Sequence, residues 1–373
     1  MPELPYVLPP HGGQMRALCE QYSLVPERLT DFSASIYPFG PPQGVLDALI
    51  YAAHHPESLR IYPDLEEKEL RSALGVYVSI SAKNIATGNG MAVLLAASLR
   101  ALNVQRCLIL TPAFGEYRKI LERESVEVHT FPLSEGNVFL PDLASVLTQS
   151  VAKRCDTVIL NSPHNPTGIA LSRNELEQFV LCAGHNNIRV LLDEAFVDFL
   201  PDESLATLAR QSDNLIVLRS LTKFFSMPAL RVAYLVATED RIRSIEQFLD
   251  PWMISTTASR AAIAAVHSRG YIEETIRINR NERQWLTNEL LEAGLQVLPG
   301  SANFLLFRLP VSFQKMNIWE RLIVEHGIVV RNCATFEDLG RGFMRIAVKD
   351  RTSHERLLEA LRSVLHRTPS PAI

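Results

Sequence analysis

Cysteine is scarce in this chain: five in 373 residues, at positions 19, 107, 155, 182 and 333, with no C-x-x-C pair. A scattered, odd set argues against a disulfide framework and a thiolate zinc site, and it fits a reduced, cytoplasmic compartment. Three of the five sit in apolar surroundings and are expected in the core. The ten histidines form no H-E-x-x-H or comparable ligand pair, so no metal centre is expected. Positive charge is not in excess either. Lys and Arg number 37 against 41 Asp and Glu, a net charge of −4, and no basic block occurs. Nucleic acid is therefore not an expected partner. No apolar run reaches the roughly 18 residues of a membrane span, so no membrane association is expected. The first ten residues have neither a charged n-region nor an apolar core, which argues against a secretory signal. Internal repeats and low-complexity segments are missing as well.

Apolar material, by contrast, is ample: 47% hydrophobic against 21% charged residues, a globular balance. A chain of this length outgrows a single core, and two domains are expected. Residues 1–40, rich in Pro and Gly, read as an arm with a short helix over 15–22, lying over another part of the molecule. Helices are expected over 42–54 and 65–78. From 85 to 236 apolar, partly β-branched runs at 106–110, 126–131, 157–160, 188–192, 215–218 and 232–236 are mostly separated by helical stretches such as 91–102, 117–123 and 172–182. This alternation predicts an α/β large domain over 41–255 with a mostly parallel sheet covered on both faces. Beyond Pro251 a long helical region over 257–293 precedes apolar strands at 303–309, 328–331 and 343–348. Helices at 318–326 and 353–366 complete a smaller α+β domain over 256–373, which the arm joins.

Candidate chemistry gathers just past the expected strand ends, where open α/β sheets bind ligands. Lys223 follows the run 215–218, between the hydroxyls of Ser220 and Thr222 and upstream of Arg231. A lysine so placed can hold an aldehyde as a Schiff base while hydroxyls and guanidinium hold a phosphate; a solvated lysine is the plain alternative. Gly90-Met91-Ala92 opens a helix whose free N–H groups suit a phosphate, or is simply a turn. In Asn161-Ser-Pro-His-Asn-Pro-Thr-Gly168, prolines fix a loop and leave Asn165 as a donor to an anionic oxygen. Asp193 ends an apolar run; it can partner a protonated ring nitrogen or cap a helix. Phe114 can stack on a flat ring or pack in the core. Arg331 and Arg345, in apolar strands, need carboxylates or phosphates, from a dianionic substrate or from the protein. His11, in a glycine-rich turn, reads as a surface side chain, a phosphate ligand or a general base. Together these groups point to pyridoxal 5′-phosphate as cofactor.

The motifs His11-Gly-Gly, Asp31-Phe-Ser-Ala, Asp193-Glu-Ala-Phe-Val-Asp-Phe199, Leu218-Arg-Ser-Leu-Thr-Lys-Phe224, Pro251-Trp252, Ala302-Asn-Phe-Leu-Leu306 and Arg331-Asn-Cys-Ala334 carry a resemblance that covers nearly the whole chain. The sequence resembles the fold type I pyridoxal-phosphate enzymes, in the class of histidinol-phosphate aminotransferases and threonine-phosphate decarboxylases, and is more similar to the decarboxylases. The resemblance implies a homodimer in which Tyr62 reaches the neighbouring subunit's cofactor phosphate. It also implies that Arg345 holds the substrate carboxylate, and His11 with Arg331 the substrate phosphate. The implied reaction is decarboxylation of L-threonine O-3-phosphate, a phosphorylated amino acid, for the cobalamin side chain. Departures from the family pattern fall at the site. Phe196 stands where the aminotransferases usually have Tyr, Ser35 and Tyr37 replace asparagines, and His164 replaces a common Asn. Transamination of a histidinol-phosphate type, serine or serine phosphate as substrate, and a ligand-binding module without turnover remain the alternatives.

Overall fold

Residues 8–314 and 316–366 are described in the computed structural model of the chain; the first seven residues of the expected arm lie outside them. In chain order the strands are β1 (Thr30–Asp31), β2 (Ile85–Asn89), β3 (Arg106–Thr111), β4 (Glu127–Pro132), β5 (Thr157–Asn161), β6 (Arg189–Asp193), β7 (Leu215–Ser220) and β8 (Val232–Val236). Then follow β9 (Gln296–Val297), β10 (Phe304–Arg308), β11 (Ile328–Val329), β12 (Arg331–Asn332) and β13 (Phe343–Ala347).

Seven strands form one sheet in the order β2-β8-β7-β6-β5-β3-β4. Strands β3 to β7 run parallel, while β8 runs antiparallel to both of its neighbours. The period of two along each strand explains why these runs are continuously apolar. Leu108, Leu110, Val158, Leu160, Val190 and Leu192 enter one core, and Cys107, Ile109, Ile159 and Leu191 enter the core on the other face. Each such Leu, Ile or Val contributes about 1.5–3 kcal/mol on burial. The first face is covered by the helices Lys68–Val78, Leu143–Ala152, Arg173–His185 and Thr256–His267, the second by Met91–Ala101, Glu116–Arg123 and Glu239–Glu246. The helix Arg173–His185 begins where its sequence says it should, at a Ser172–Glu175 capping box.

A four-stranded antiparallel sheet, β12-β13-β10-β9, anchors a third core. The helices Ile318–His326 and Arg351–His366 supply that core, with Leu18 and Phe32 from the arm. The arm is pinned by β1, which pairs in parallel with β11, Thr30 opposite Ile328. The helix Arg269–Glu292 bridges the two regions. Tyr271, Ile272 and Ile276 pack on the first core, and Leu286 and Leu290 sit in the third.

Some elements differ from the sequence reading. The helical region over 257–293 is two helices, Thr256–His267 and Arg269–Glu292, separated by Ser268, whose ψ of 66° is not helical. The helix expected from 65 starts at Lys68, because Glu67 takes a left-handed conformation (φ 48°). The strand expected over 328–331 divides around Val330, with β11 bonded to the arm and β12 to β13. Strand β2 and the helix Leu143–Ala152 were not expected. Strand β2 has only Ile85 and Ala86 as apolar residues before Thr-Gly-Asn, too few to mark a strand.

Candidate active site

One edge of the large sheet gathers the chemistry. Strands β3, β5, β6 and β7 end there, β2 ends beside them, and the reversed β8 begins there. A cavity of about 870 Å³ opens at this edge, walled on its far side by the arm and by residues of β12 and β13. β2 passes into the helix Met91–Ala101 through Gly90, whose φ of 85° suits glycine alone. A Cβ there would come within 2.5 Å of Arg231 Nη2, so the guanidinium closes onto the helix start. The first-turn N–H groups of a helix have no intrahelical acceptor. The Ser220 and Thr222 hydroxyls lie 2.9 Å apart on the same wall. Helix start, two hydroxyls and a guanidinium that has no ion pair among the described residues are donors of the kind that suit a phosphate.

Lys223 lies three residues past β7. Burial, followed by the charges of Arg345 and Arg231, pushes its ammonium down to about 8. Asp193 and Glu194 are consecutive acids that point to different surroundings. Glu194 turns into a buried network, with Ser204 (2.6 Å), the Leu205 N–H (2.7 Å) and Arg219 (3.9 Å). Asp193 lines the cavity. Burial raises its carboxyl to about 6, opposed by hydrogen bonds from the Tyr117 hydroxyl and the Ala195 N–H. A buried carboxylate without a positive partner is costly, and a protonated ring nitrogen supplies that partner. Phe114 stands edge-on to Tyr117 with ring centroids 5.7 Å apart, and Phe196 packs edge-on to Phe304 at 5.0 Å. Both phenylalanines line the cavity.

On the opposite wall, β12 and β13 bring Arg331 and Arg345 into direct cross-strand register. Both are buried, and among the described residues neither has a carboxylate partner. Arg331 donates to the carbonyls of Pro9 and Pro10 and to Thr335 Oγ1, the last two at 2.7 Å. Arg345 donates to Asn165 Oδ1 and to the Ser33 carbonyl (3.3 Å). Burial lowers both guanidinium groups, Arg345 to about 10. His11 Nε2 lies 2.8 Å from Glu116 Oε1, tying the arm to the helix Glu116–Arg123 at the cavity mouth. Ser35 lines the cavity, 3% exposed, with its Oγ unpartnered.

Of the site residues singled out in the sequence, all but Gly90, Tyr62, Tyr37 and His164 line this one cavity. Gly90 sits behind its wall as backbone. Tyr62 is 76% exposed and leans on Trp252, ring centroids 4.9 Å apart, outside the cavity of its own chain. The His11 side chain remains about one-third exposed, with its ring bonded to Glu116. The reading of the two arginines as buried ion pairs fails, because their partners are neutral. His164 faces inward, with Nδ1 2.8 Å from Thr167 Oγ1, and burial pushes it down to about 4. The sequence reading missed Tyr117, Glu116, Ser33 and Asn161. Asn161 Nδ2 donates to the Asp193 carbonyl at 2.9 Å and braces β5 against β6. The three-residue step from Phe114 to Tyr117, one turn at a helix start, was the available signal for the tyrosine.

Residues 27–363 match the model of the family described as aminotransferase class I and II. The chain belongs to that family. It is 32% identical to a threonine-phosphate decarboxylase of Salmonella typhimurium, over 95% of this chain and 96% of the relative. It is 33% identical to histidinol-phosphate aminotransferase 2 of Archaeoglobus fulgidus, over 91% and 94%. A solved histidinol-phosphate aminotransferase of Clostridium acetobutylicum superposes with a TM-score of 0.83 at 28% identity, over 90% of this chain and 99% of that one. In this aminotransferase-class chain the donor set fits the family's cofactor, pyridoxal 5′-phosphate. Arg231 with the helix start suits its phosphate, the buried Asp193 its ring nitrogen, and the depressed Lys223 amine its aldehyde.

Proposed function

We propose that the protein is a pyridoxal 5′-phosphate-dependent decarboxylase of L-threonine O-3-phosphate. The products are carbon dioxide and (R)-1-amino-2-propanol phosphate, a linker for the cobalamin nucleotide loop. The observation that carries this reading is the register of Arg331 opposite Arg345. Like charges directly opposite each other repel, and buried cations without anions are costly. Two such groups beside a third cation, Arg231, which has no ion pair among the described residues, call for a substrate with two anionic groups of its own besides the cofactor's phosphate. An amino acid phosphate has both; histidinol phosphate has no carboxylate. The similarity to the Salmonella decarboxylase supports the same reading.

Bound cofactor supplies an electron sink conjugated to the substrate's Cα. The chain's residues decide which bond at Cα breaks. Arg345 grips the carboxylate and Arg331 with His11 the phosphate, which fixes the substrate's rotation relative to the ring. Arg345 would thereby set the Cα–carboxylate bond as the one that breaks, so that carbon dioxide would leave. The electron pair left behind is quenched by one proton at Cα, so no keto acid is consumed. Lys223, whose amine is lowered to about 8, is the group that delivers that proton. Asp193 keeps the ring nitrogen protonated. Ser35 offers its unpartnered hydroxyl to the substrate, and Phe196 leaves the ring oxygen without a phenol donor.

The same proposal includes an arm (1–40), a large domain (41–255), a small domain (256–373), a homodimer and a cytoplasmic location. Exposed apolar side chains at Ile50, Leu59, Ile61, Tyr62 and Leu65 support the dimer, since such patches mark interfaces. Tyr62 would then reach the partner's cofactor phosphate. No described helix is long and apolar enough to cross a membrane.

A histidinol-phosphate-type aminotransferase is the second reading, favoured by the similarity to the Archaeoglobus protein. A substrate panel with mass-spectrometric product identification separates the two. L-Threonine O-3-phosphate, serine phosphate and serine are each supplied alone, and histidinol phosphate with 2-oxoglutarate. Amino-propanol phosphate from the first supports the proposal; turnover only in the keto-acid pair overturns it.

A further inference from the structure

Asp193 is anchored by a group that no motif announced. The hydroxyl of the buried Tyr117, on the helix Glu116–Arg123, donates to Asp193 Oδ2. The Ala195 N–H donates to Asp193 Oδ1 at 2.8 Å. The acid is thus held from both sides, one donor to each oxygen, and neither donor is charged. No other hydrogen bond of the Tyr117 hydroxyl occurs among the described residues, and a buried phenol left without one is costly. Its ring also stands edge-on to Phe114, so one side chain braces both the acid and the stacking face.

The other titratable groups around the acid act elsewhere. Glu194, next on the chain after β6, is turned toward Arg219 and Ser204. His164, after β5, is bonded to Thr167. Lys223 beyond β7, Arg231 before β8 and Arg345 on β13 line the same cavity, and the hydrogen bonds from Tyr117 and Ala195 oppose the burial of the Asp193 carboxyl. We propose that Tyr117 is a positioning residue that sets the proton affinity of Asp193, and through it the grip of Asp193 on the cofactor's protonated ring nitrogen. This rests on the pyridoxal phosphate reading given above.

The physics has a definite sign. A donor to the ionised carboxylate favours that form, so the Tyr117 hydroxyl keeps Asp193 charged to lower pH. Without it, burial alone governs the acid, which then stays protonated to higher pH and cannot pair with a protonated nitrogen.

The test uses the cofactor-free full chain and pyridoxine 5′-phosphate, which has no aldehyde and forms no bond with Lys223. Its dissociation constant is followed by protein fluorescence across the pH range. In the unaltered chain, affinity is highest where Asp193 is charged and the probe's ring nitrogen still protonated, and below that it falls up to tenfold per pH unit as Asp193 takes up its proton. In Tyr117→Phe that acid-side fall begins about one pH unit higher, with the highest affinity unchanged. A chain made with 3-fluorotyrosine, whose phenols are stronger donors, moves the fall to lower pH; it also decides the question if Tyr117→Phe does not fold. A fall at the same pH in all three chains overturns the inference, as does a uniform loss of affinity in Tyr117→Phe, which marks a packing role. Failure of the unaltered chain to bind the probe at any pH overturns the cofactor reading, and this inference with it.

Discussion

At the sheet edge Asp193 and Lys223 sit at or just beyond the ends of β6 and β7, in a wall built from consecutive elements of one sheet. At the facing wall Arg331 and Arg345 come from β12 and β13. They are tied down by carbonyls of Pro9, Pro10 and Ser33 in the arm and by Asn165 after β5. The first end is preorganised by local geometry, and its uncompensated groups match the cofactor. The second is assembled from distant segments, and its cations rest on neutral acceptors that an incoming anion can replace without stranding a buried acid. On the proposed function, one end serves the chemistry and the other the substrate.

The largest effect should come from breaking the cofactor end. Lys223→Ala is expected to lower turnover by about 10³-fold or more, while the chain still binds pyridoxine 5′-phosphate through the phosphate site and Asp193. Retained turnover would remove Lys223 from its role. Breaking the substrate end separates activity from stability. Arg345→Met should cost roughly 10²- to 10³-fold in kcat/KM. Its cofactor-free form should nonetheless melt no lower than the unaltered chain, because one of two opposed buried cations is gone. A melting point lowered as far as by a core Leu→Ala change would contradict the account.

A smaller and opposite signature belongs to pH. The folded-state pKa of Lys223, about 8, lies below its ordinary 10.5. Between these values the unfolded chain binds more protons, so this lysine costs stability at lower pH and the cost is relieved as pH rises from about 8. Denaturant midpoints of the unaltered chain and Lys223→Met should therefore converge across that window; parallel curves would show an unperturbed lysine. Smallest of all is Glu337→Gln, at the cavity rim. It removes the exposed ion pair with Arg118 (2.8 Å), which is worth about 0.5 kcal/mol, and kcat should stay within about twofold.

The same contrast governs what could be read from the residues in order. Lys223, Asp193 and Asn165 follow apolar runs closely, so strand periodicity was enough to bring them to one edge; the Gly90–Ala92 turn was marked by its glycines alone, since β2 carries no strand signal. Strand β8 runs backwards, yet Arg231 precedes it and still reaches that edge. Tyr117 escaped notice because its role depends on a bond across 76 positions to Asp193. The substrate end was legible as residue types but not as contacts. That Arg331 faces Arg345, and that the arm's carbonyls bind both, follows from pairings such as Thr30 with Ile328, which no local pattern encodes. Val330, a residue that should continue a strand, instead separates β11 from β12, because the two halves pair with different partners.

The account stands most directly on carbon dioxide release. The cofactor-loaded chain is supplied with L-threonine O-3-phosphate alone, and gas evolution is measured against the amine product. One carbon dioxide per amino-propanol phosphate is expected with no keto acid present. Absence of carbon dioxide, together with turnover of histidinol phosphate that stops when 2-oxoglutarate is withheld, would contradict it.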